Sequence, residues 1–223
     1  MRIKYFLLTT GISLLASASS FAQLSIGPTG GVNLAHHRMH FDEGETPETQ
    51  LLLQPTAGVA VDVKLLPLLS LQPQFLYSGK GTAYTLNEDV EGYSRTKVSY
   101  LEVPVNAVLS VGLSEAQFQF FAGPYASLAV YGKNKYDYAS DLFGVKMRVS
   151  DDETLQFGDG DNYDLRSFDY GMNFGIGVRS NHVQLQTGYS LGMQNLVADE
   201  ESRQHNTIEN GAIHARLTFF IGG

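Results

Sequence analysis

The chain has 223 residues, with 15 Lys and Arg against 23 Asp and Glu, so its formal net charge is −8, and it contains no cysteine. This composition excludes disulfide scaffolds, thiol catalysis and cysteine-based zinc sites, and the acidic balance argues against nucleic acid as a partner. The length fits one domain or at most two, and a charged fraction of 17% together with 23 Gly and 12 Tyr favours a β-rich envelope protein.

Residues 1–22 have the pattern of a secretory signal peptide. The basic residues Arg2 and Lys4 are followed by an apolar stretch and by small residues at positions −3 and −1 of a cleavage site after Ala22. The apolar run is too short to span about 30 Å of hydrocarbon, which argues against an N-terminal membrane anchor. We therefore predict a signal peptide over residues 1–22 and a single domain over residues 23–223.

Eight later segments alternate apolar and polar residues with a period of two, as β-strands with one polar face do. In residues 168–179 the even positions read Phe, Tyr, Met, Phe, Ile, Val and the odd positions read Asp, Gly, Asn, Gly, Gly, Arg. The predicted strands cover residues 24–35, 57–65, 71–83, 98–111, 117–130, 168–179, 183–194 and 213–221.

The polar faces of these segments carry the charged residues, whereas the other faces are apolar almost without a break. In a barrel of about eight strands the lumen is narrow and filled by side chains, so inward apolar faces would crowd many Phe, Leu and Val residues there. Apolar faces that point outward into lipid place the charges in the lumen, as in transmembrane barrels with strands of about ten residues. We predict an all-β fold: an eight-stranded antiparallel up-and-down transmembrane β-barrel in the outer membrane.

The connections between these strands alternate long and short, and outer-membrane barrels have long extracellular loops and short periplasmic turns. The long connections cover residues 36–55, 84–96, 132–166 and 195–208, and the short ones cover 66–70, 112–116 and 180–182. Aromatic residues near strand ends are predicted to form interfacial girdles. These residues are Tyr77, Tyr84, Tyr100, Tyr131, Phe219 and Phe220.

Seven short motifs occur in order along the chain, at residues 30–34 (GGVNL), 71–81 (LQPQFLYSGKG), 100–104 (YLEVP), 122–125 (AGPY), 169–171 (DYG), 175–177 (GIG) and 189–196 (YSLGMQNL). This ordered set resembles the PorT-like outer-membrane β-barrel proteins of Bacteroidetes. The resemblance implies an eight-stranded barrel in the outer membrane, and the family includes a member associated with export of surface proteins through the type IX pathway. Gln74 stands where the family often carries Glu.

Five charged residues share the predicted inward face: Lys80, Glu102, Asp169, Arg179 and Arg216. Lone charges in a narrow lumen are costly unless they are paired, so we predict a lumen charge network. The network acts either as a structural plug that holds strand register or as a gated or selective pore. Eight strands favour the plug, because wide aqueous channels belong to barrels with about 16 strands.

Two loop segments carry residue types that bind metal ions. In the first extracellular loop His36, His37 and His40 precede Asp42, Glu43 and Glu45, and in the long loop Asp159-Gly160-Asp161-Asn162 stands among Asp151, Asp152, Glu153 and Asp164. The second segment lacks the Gly and Glu that an EF-hand requires at its sixth and twelfth positions. Solvated polar loops are the favoured interpretation of both segments. The alternative is a divalent-metal site for the first segment and loosely bound Ca²⁺ for the second, and no cofactor is predicted.

Enzymatic signatures are weak in this sequence. Gly175 and Gly177 lie inside a predicted strand, where they give room for large lumen neighbours and do not form a dinucleotide fingerprint. A Ser/His/Asp enzyme needs a Ser and a His close together, and no motif links a serine to His182, His205 or His214.

The leading interpretation is therefore a small non-enzymatic outer-membrane barrel with a structural, adhesive or secretion-accessory role through its loops or periplasmic turns. Its predicted partners are outer-membrane lipid and an envelope or secretion-system protein. The alternatives are a soluble periplasmic ligand-binding barrel with an apolar interior and an outer-membrane acyl-modifying enzyme. We also predict that residues 133–165 are extracellular and dispensable for folding, although apolar and aromatic residues over 136–149 could extend the flanking strands.

Overall fold

The computed structural model describes residues 23–42, 49–85, 92–113, 116–142 and 145–222, so the predicted signal peptide lies outside the described residues. In chain order the elements are β1 (Gln23–Phe41), β2 (Thr49–Gln50), β3 (Leu52–Leu66), β4 (Leu69–Thr85), β5 (Gly92–Leu113), β6 (Ala116–Leu142), β7 (Val145–Thr154), β8 (Phe168–Ser180), β9 (Val183–Gly192), α1 (Ser202–His205) and β10 (Asn206–Phe219). No helix among the described residues is long and apolar enough to cross a membrane.

Eight of these strands close into a ring in the order β1, β3, β4, β5, β6, β8, β9, β10, and each pairs antiparallel with both neighbours. The first and last strands join through thirteen paired positions, from Thr29 opposite Thr218 to Phe41 opposite Asn206. Closure removes the free edges that an open sheet would present. The predicted eight-stranded up-and-down barrel is confirmed.

Side-chain direction follows the period of two along each strand of the ring. On β8, Asn173 is fully buried in the lumen, whereas the adjacent Phe174 is 49% exposed on the outer wall. The outer wall carries many exposed large apolar side chains on all eight strands, whereas the interior is mostly polar. A soluble barrel with an apolar interior is therefore wrong for this chain, because the apolar side chains point outward.

The two ends of the ring differ in the length of their connections. At the end that holds Gln23 and Gly222, two-residue turns such as Pro67-Leu68 join the strands, which marks the periplasmic side. At the other end the strands run further than predicted: β1 continues to Phe41, and β6 has 27 residues, roughly 90 Å at about 3.3 Å per residue.

The predicted extracellular loops 36–55 and 132–166 are therefore partly strand. The β1 ladder to β10 continues through His37 opposite Asn210. β6 and β7 form a hairpin from Lys133 opposite Thr154 to Leu142 opposite Val145. Cross-strand pairing therefore continues beyond the segments whose apolar–polar alternation predicted the strands. The apolar and aromatic residues over 136–149 had indicated this extension for the second loop.

Two members of the predicted aromatic girdle were assigned to the wrong side of the wall. Tyr77, Tyr131 and Phe219 are exposed on the outside, but Tyr100 and Phe220 are fully buried in the lumen. Tyr100 shares its face with Glu102, and Phe220 with Thr218, so the period of two already placed both inward. The alternation is the stronger signal, and aromatic character near a strand end does not override it.

Glycines on β8 and β9 make room for a large lumen side chain, as the sequence predicted for β8. A Cβ atom added at Gly175 would lie 2.6 Å from Cζ of Phe121, and one added at Gly188 would lie 2.8 Å from it. Both distances are shorter than real contacts allow, so larger residues there would displace the Phe121 ring or the neighbouring backbone.

Candidate functional site

Three charged side chains from three strands meet in the lumen. Lys80 on β4 places Nζ 2.8 Å from Oε2 of Glu102 on β5 and 3.0 Å from Oδ2 of Asp169 on β8. All three are at most 1% exposed. The ammonium group therefore bridges two carboxylates contributed by both sides of the barrel.

Neutral donors complete the surroundings of Asp169. Its Oδ2 accepts hydrogen bonds from Nδ2 of Asn210 at 2.9 Å, from the Tyr125 hydroxyl at 3.2 Å and from Oγ of Ser127 at 3.3 Å. Nζ of Lys80 also lies 4.1 Å from the centre of the Tyr125 ring, within the range of a cation–π contact. These contacts supply the hydrogen bonds that a buried carboxylate requires.

Arg216 on β10 joins the same cluster, with Nη2 3.5 Å from Oε1 of Glu102. Lys80, Glu102, Asp169 and Arg216, hereafter the central cluster, hold two positive and two negative formal charges and sum to zero. A neutral, hydrogen-bonded cluster offsets much of the cost of burying its members. The arrangement connects β4, β5, β8 and β10 across the lumen.

Arg179, the fifth predicted member, does not belong to the central cluster. Its Nη1 lies 2.5 Å from Oδ2 of Asp62 on β3, and its guanidinium lies 4.5 Å from the centre of the Phe220 ring, near the periplasmic turns. Gln72 donates to the other oxygen of Asp62 at 2.9 Å. Arg179 shares a face with Asp169 but lies ten residues further along β8, too far for the same cluster.

Glutamine side chains link across the lumen from this ion pair. Nε2 of Gln184 donates to Oε1 of Gln119 at 2.6 Å and to Oε1 of Gln72 at 3.3 Å, and Gln186 donates to the same Gln72 oxygen at 3.4 Å. Sequence reasoning singled out charges and therefore missed these amides, together with Tyr125, Ser127 and Asn210. Their position on inward faces of predicted strands was the signal that could have found them, except for Asn210, which precedes the predicted last strand at 213–221.

The extracellular mouth is covered by two connections that pack on each other. Leu155, Leu165 and Leu196 form a buried cluster with three lumen residues, Val98, Tyr100 and Ala129. Backbone bridges join Leu165 to Phe157 and to Val197. We call residues 155–167 and 193–205 together the cap. Because the leucines of the cap rest on Tyr100, they cover the lumen above the central cluster.

Ion pairs hold the outer surface of the cap together. Asp159 binds Arg166 at 3.3 Å and also pairs with Arg203, which donates from Nε to the carbonyl of Val197 at 2.9 Å. Nearby, a hydrogen bond with the Asp199 carboxyl group, together with its charge, raises the pKa of Asp161.

The residues considered for metal binding are dispersed. No group of three or more metal-ligating side chains occurs in the described parts of the chain. His37 is buried in the lumen, whereas His36 points to the outer side, 3.3 Å from the Tyr189 hydroxyl. Both lie in β1 and not in a loop, and consecutive strand residues point to opposite faces. Glu43 and Glu45 lie outside the described residues.

A serine and a histidine do meet in the lumen, although no sequence motif links them. Oγ of Ser190 lies 3.2 Å from Nδ1 of His214, and both residues are buried. In the described structure Nε2 of His214 makes no hydrogen bond, so a carboxylate does not complete a triad. His182 stacks on Phe219 at a periplasmic turn, and Nδ1 of His205 lies 3.4 Å from Asp42.

Comparison with known proteins places these features in a family. A family model described as outer membrane protein beta-barrel domain matches residues 18–198 of the chain. Among curated proteins, none matches the chain.

Solved structures of outer-membrane proteins align with most of the chain at low identity. Neisserial surface protein A is 12% identical over 88% of this chain and 96% of its own, with a TM-score of 0.37. Ail, the attachment invasion locus protein of Yersinia pestis, in complex with the heparin analogue sucrose octasulfate, is 11% identical over 89% and 99%, with a TM-score of 0.40. The outer membrane protease OmpT of Escherichia coli is 10% identical over 89% and 97%, with a TM-score of 0.43. At these TM-scores the likenesses assign no role to the chain.

Proposed function

Because the chain belongs to the family of outer membrane protein beta-barrel domains, we propose that it is a closed, non-enzymatic barrel that acts by binding another envelope protein through its extracellular cap. The protein is located in the outer membrane. The observation that carries the proposal is the buried leucine cluster beneath the cap, because it gives the extracellular surface a fixed shape and closes the lumen to solutes.

The charge-paired interior favours a role in binding another protein over a role in transport or catalysis. The central cluster places paired charges across the lumen, and an eight-stranded barrel has no room for a wide channel beside them. Ser190 and His214 lie inside this lumen, away from lipid and solvent. An acyl-modifying role is therefore disfavoured.

The family resemblance indicates which kind of partner to expect. The ordered motifs described above support a PorT-like protein of Bacteroidetes. In such a protein the contact made by the cap serves as an accessory to secretion. An adhesive contact uses the same cap and differs only in its partner.

Site-specific photocrosslinking in intact cells tests the proposal. Tyr163 is exposed on the cap, and Asn181 is exposed at a periplasmic turn, so a photoreactive residue at each samples the two ends separately. We expect a protein adduct from position 163 and none from position 181. Adducts from position 181 alone, or from neither position, contradict the proposal.

A deletion supplies the second arm of this test. Removal of residues 150–161 takes away part of the hairpin and of the cap. It removes none of the β6–β8 ring pairs, which join residues 117–128 to residues 168–179. We expect the shortened protein to lose the adduct and to keep heat-modifiable gel migration. Loss of heat-modifiability would show that the segment is needed for folding, contrary to the predicted dispensability.

A further inference from the structure

A polar cavity of about 400 Å³ lies at the periplasmic end of the barrel, at the end opposite the cap. Its lining combines the cations Lys64 and Arg179 with the side-chain amides of Gln117 and Asn181 and with an apolar edge at the Pro67-Leu68 turn. The volume falls within the range of about 300–1,000 Å³ that is typical of small-ligand sites.

Positive charge is in excess around this cavity. Asp62 is the carboxylate among the described lining residues, and both of its oxygens are occupied, one by Arg179 at 2.5 Å and the other by Gln72 at 2.9 Å. Lys64 is exposed and has no salt-bridge partner in the part of the chain that the structure describes. A carboxylate or phosphate group is the ligand that such donors favour.

The uncharged groups that line the cavity indicate which kind of anion it binds. Amides such as Gln117 and Asn181 can both donate to and accept from peptide groups, and Pro67 and Leu68 offer apolar surface for a side chain. We propose that the cavity binds the free C-terminal carboxylate of a short peptide segment from the periplasmic side. Lys64 pairs with the carboxylate, and the amides hold the preceding peptide groups.

This site is independent of the contact proposed for the cap. Lys64 belongs to the periplasmic end of β3, and none of the residues that form the leucine cluster of the cap lines the cavity. A failure of either proposal therefore leaves the other intact.

Calorimetric titration of the full chain in detergent tests the peptide site. The probe is the tripeptide Ala-Ala-Leu with a free carboxylate, compared with the same tripeptide as its C-terminal amide and with inorganic phosphate. We expect the acid to bind and the amide to bind at least about tenfold more weakly, because hydrogen bonds to a charged group are lost. Phosphate should bind more weakly than the tripeptide acid, because it cannot use the amides and the apolar edge.

A pair of variants locates the binding. Lys64→Gln should weaken acid binding roughly threefold, the size expected for an exposed charge, whereas Lys97→Gln, an exposed lysine on β5 away from the cavity, should leave it unchanged. Heat-modifiable migration checks that each variant is folded. Equal affinity for acid and amide, phosphate binding as tight as that of the acid, absence of binding, or an equal effect of both variants would overturn the proposal.

Discussion

The two ends of the lumen are closed by different chemistry. At the extracellular end an apolar cluster of three leucines rests on Tyr100, whereas at the periplasmic end the ion pair of Arg179 with Asp62 and a set of linked glutamines stand beside a polar cavity. Long connections provide enough chain to fold back with a core of their own. A two-residue turn cannot do so, and side chains on the strands themselves must fill the periplasmic end.

The central cluster separates these two ends, and its disruption should have the largest effect. Lys80→Met removes one of two cations and leaves the carboxylates of Glu102 and Asp169 with Arg216 as the remaining positive charge of the cluster. We expect a loss of about 3–5 kcal/mol in the free energy of unfolding, as for other broken buried pairs. Chemical denaturation of the protein refolded into lipid vesicles measures it.

The matched control variant makes the central cluster neutral again without restoring the lysine. In the double variant Lys80→Met/Asp169→Asn the remaining charges of Glu102 and Arg216 balance, so part of the lost stability should return. If the single variant costs less than about 1 kcal/mol, the size of an exposed pair, the cluster is solvated and does not close the lumen.

The next prediction compares the outer wall with the inner one. Phe174→Arg places a charge on the lipid-facing side of β8 and should destabilise the barrel by about 2–4 kcal/mol. Gln186→Glu places a charge on the inward face of β9, directly opposite Arg216 on β10, where the two opposite charges can pair, and should be milder. Denaturation from vesicles measures both variants. Equal effects would mean that the two faces are assigned incorrectly.

A substitution in the cap should loosen the extracellular end of the barrel and leave the rest of the ring folded. Leu196 is fully buried beneath the cap, and Leu196→Ala should cost the cap about 2–5 kcal/mol, the usual range for a buried Leu to Ala change. We expect external trypsin to cleave faster near Arg166 and Arg203 in intact cells, while heat-modifiable migration persists. Tyr163→Ala, a change at an exposed cap residue, should leave the cleavage rate unaltered. Loss of the folded barrel in Leu196→Ala would show that the cap and ring form one cooperative unit.

The sequence predicted the ring well and the contacts inside it less well. Lipid on one side and a polar lumen on the other impose a period of two, so all eight strands were predicted. Alternation shows which residues face inward but not how far neighbouring strands are displaced along the barrel axis. The pairing of Arg179 with Asp62 was therefore missed. The separation of Arg179 from Asp169 by ten residues along β8, in contrast, was already visible in the sequence. The cap was not predicted. Its leucines, Leu155, Leu165 and Leu196, lie far apart in connections that show no strand periodicity.

The smallest effect is expected in the hairpin of β6 and β7, where an exposed ion pair joins Lys133 and Asp152. The hydrogen bond from Lys133 lowers the pKa of the Asp152 carboxyl. The stabilisation is therefore complete above the ordinary pKa of an aspartate, about 3.9, and is lost as the pH falls through the lowered value. Pepsin cleaves in this acidic range, so digestion of the hairpin should accelerate as the pH falls.

Two substitutions distinguish loss of this ion pair from a general effect of low pH on the hairpin. Each removes one exposed carboxylate from β7, and Asp152 is the one that pairs with Lys133. Asp152→Asn should be digested quickly already at pH 4.5, whereas Glu153→Gln should behave like the unaltered chain. The effect should also shrink in high salt, since salt screens exposed pairs. If both variants are digested at the same rate, general acidity of the hairpin and not this pair controls its opening. The extracellular end would then depend on the leucine cluster and on the ion pairs of Asp159 in the cap, and not on the pair in the hairpin.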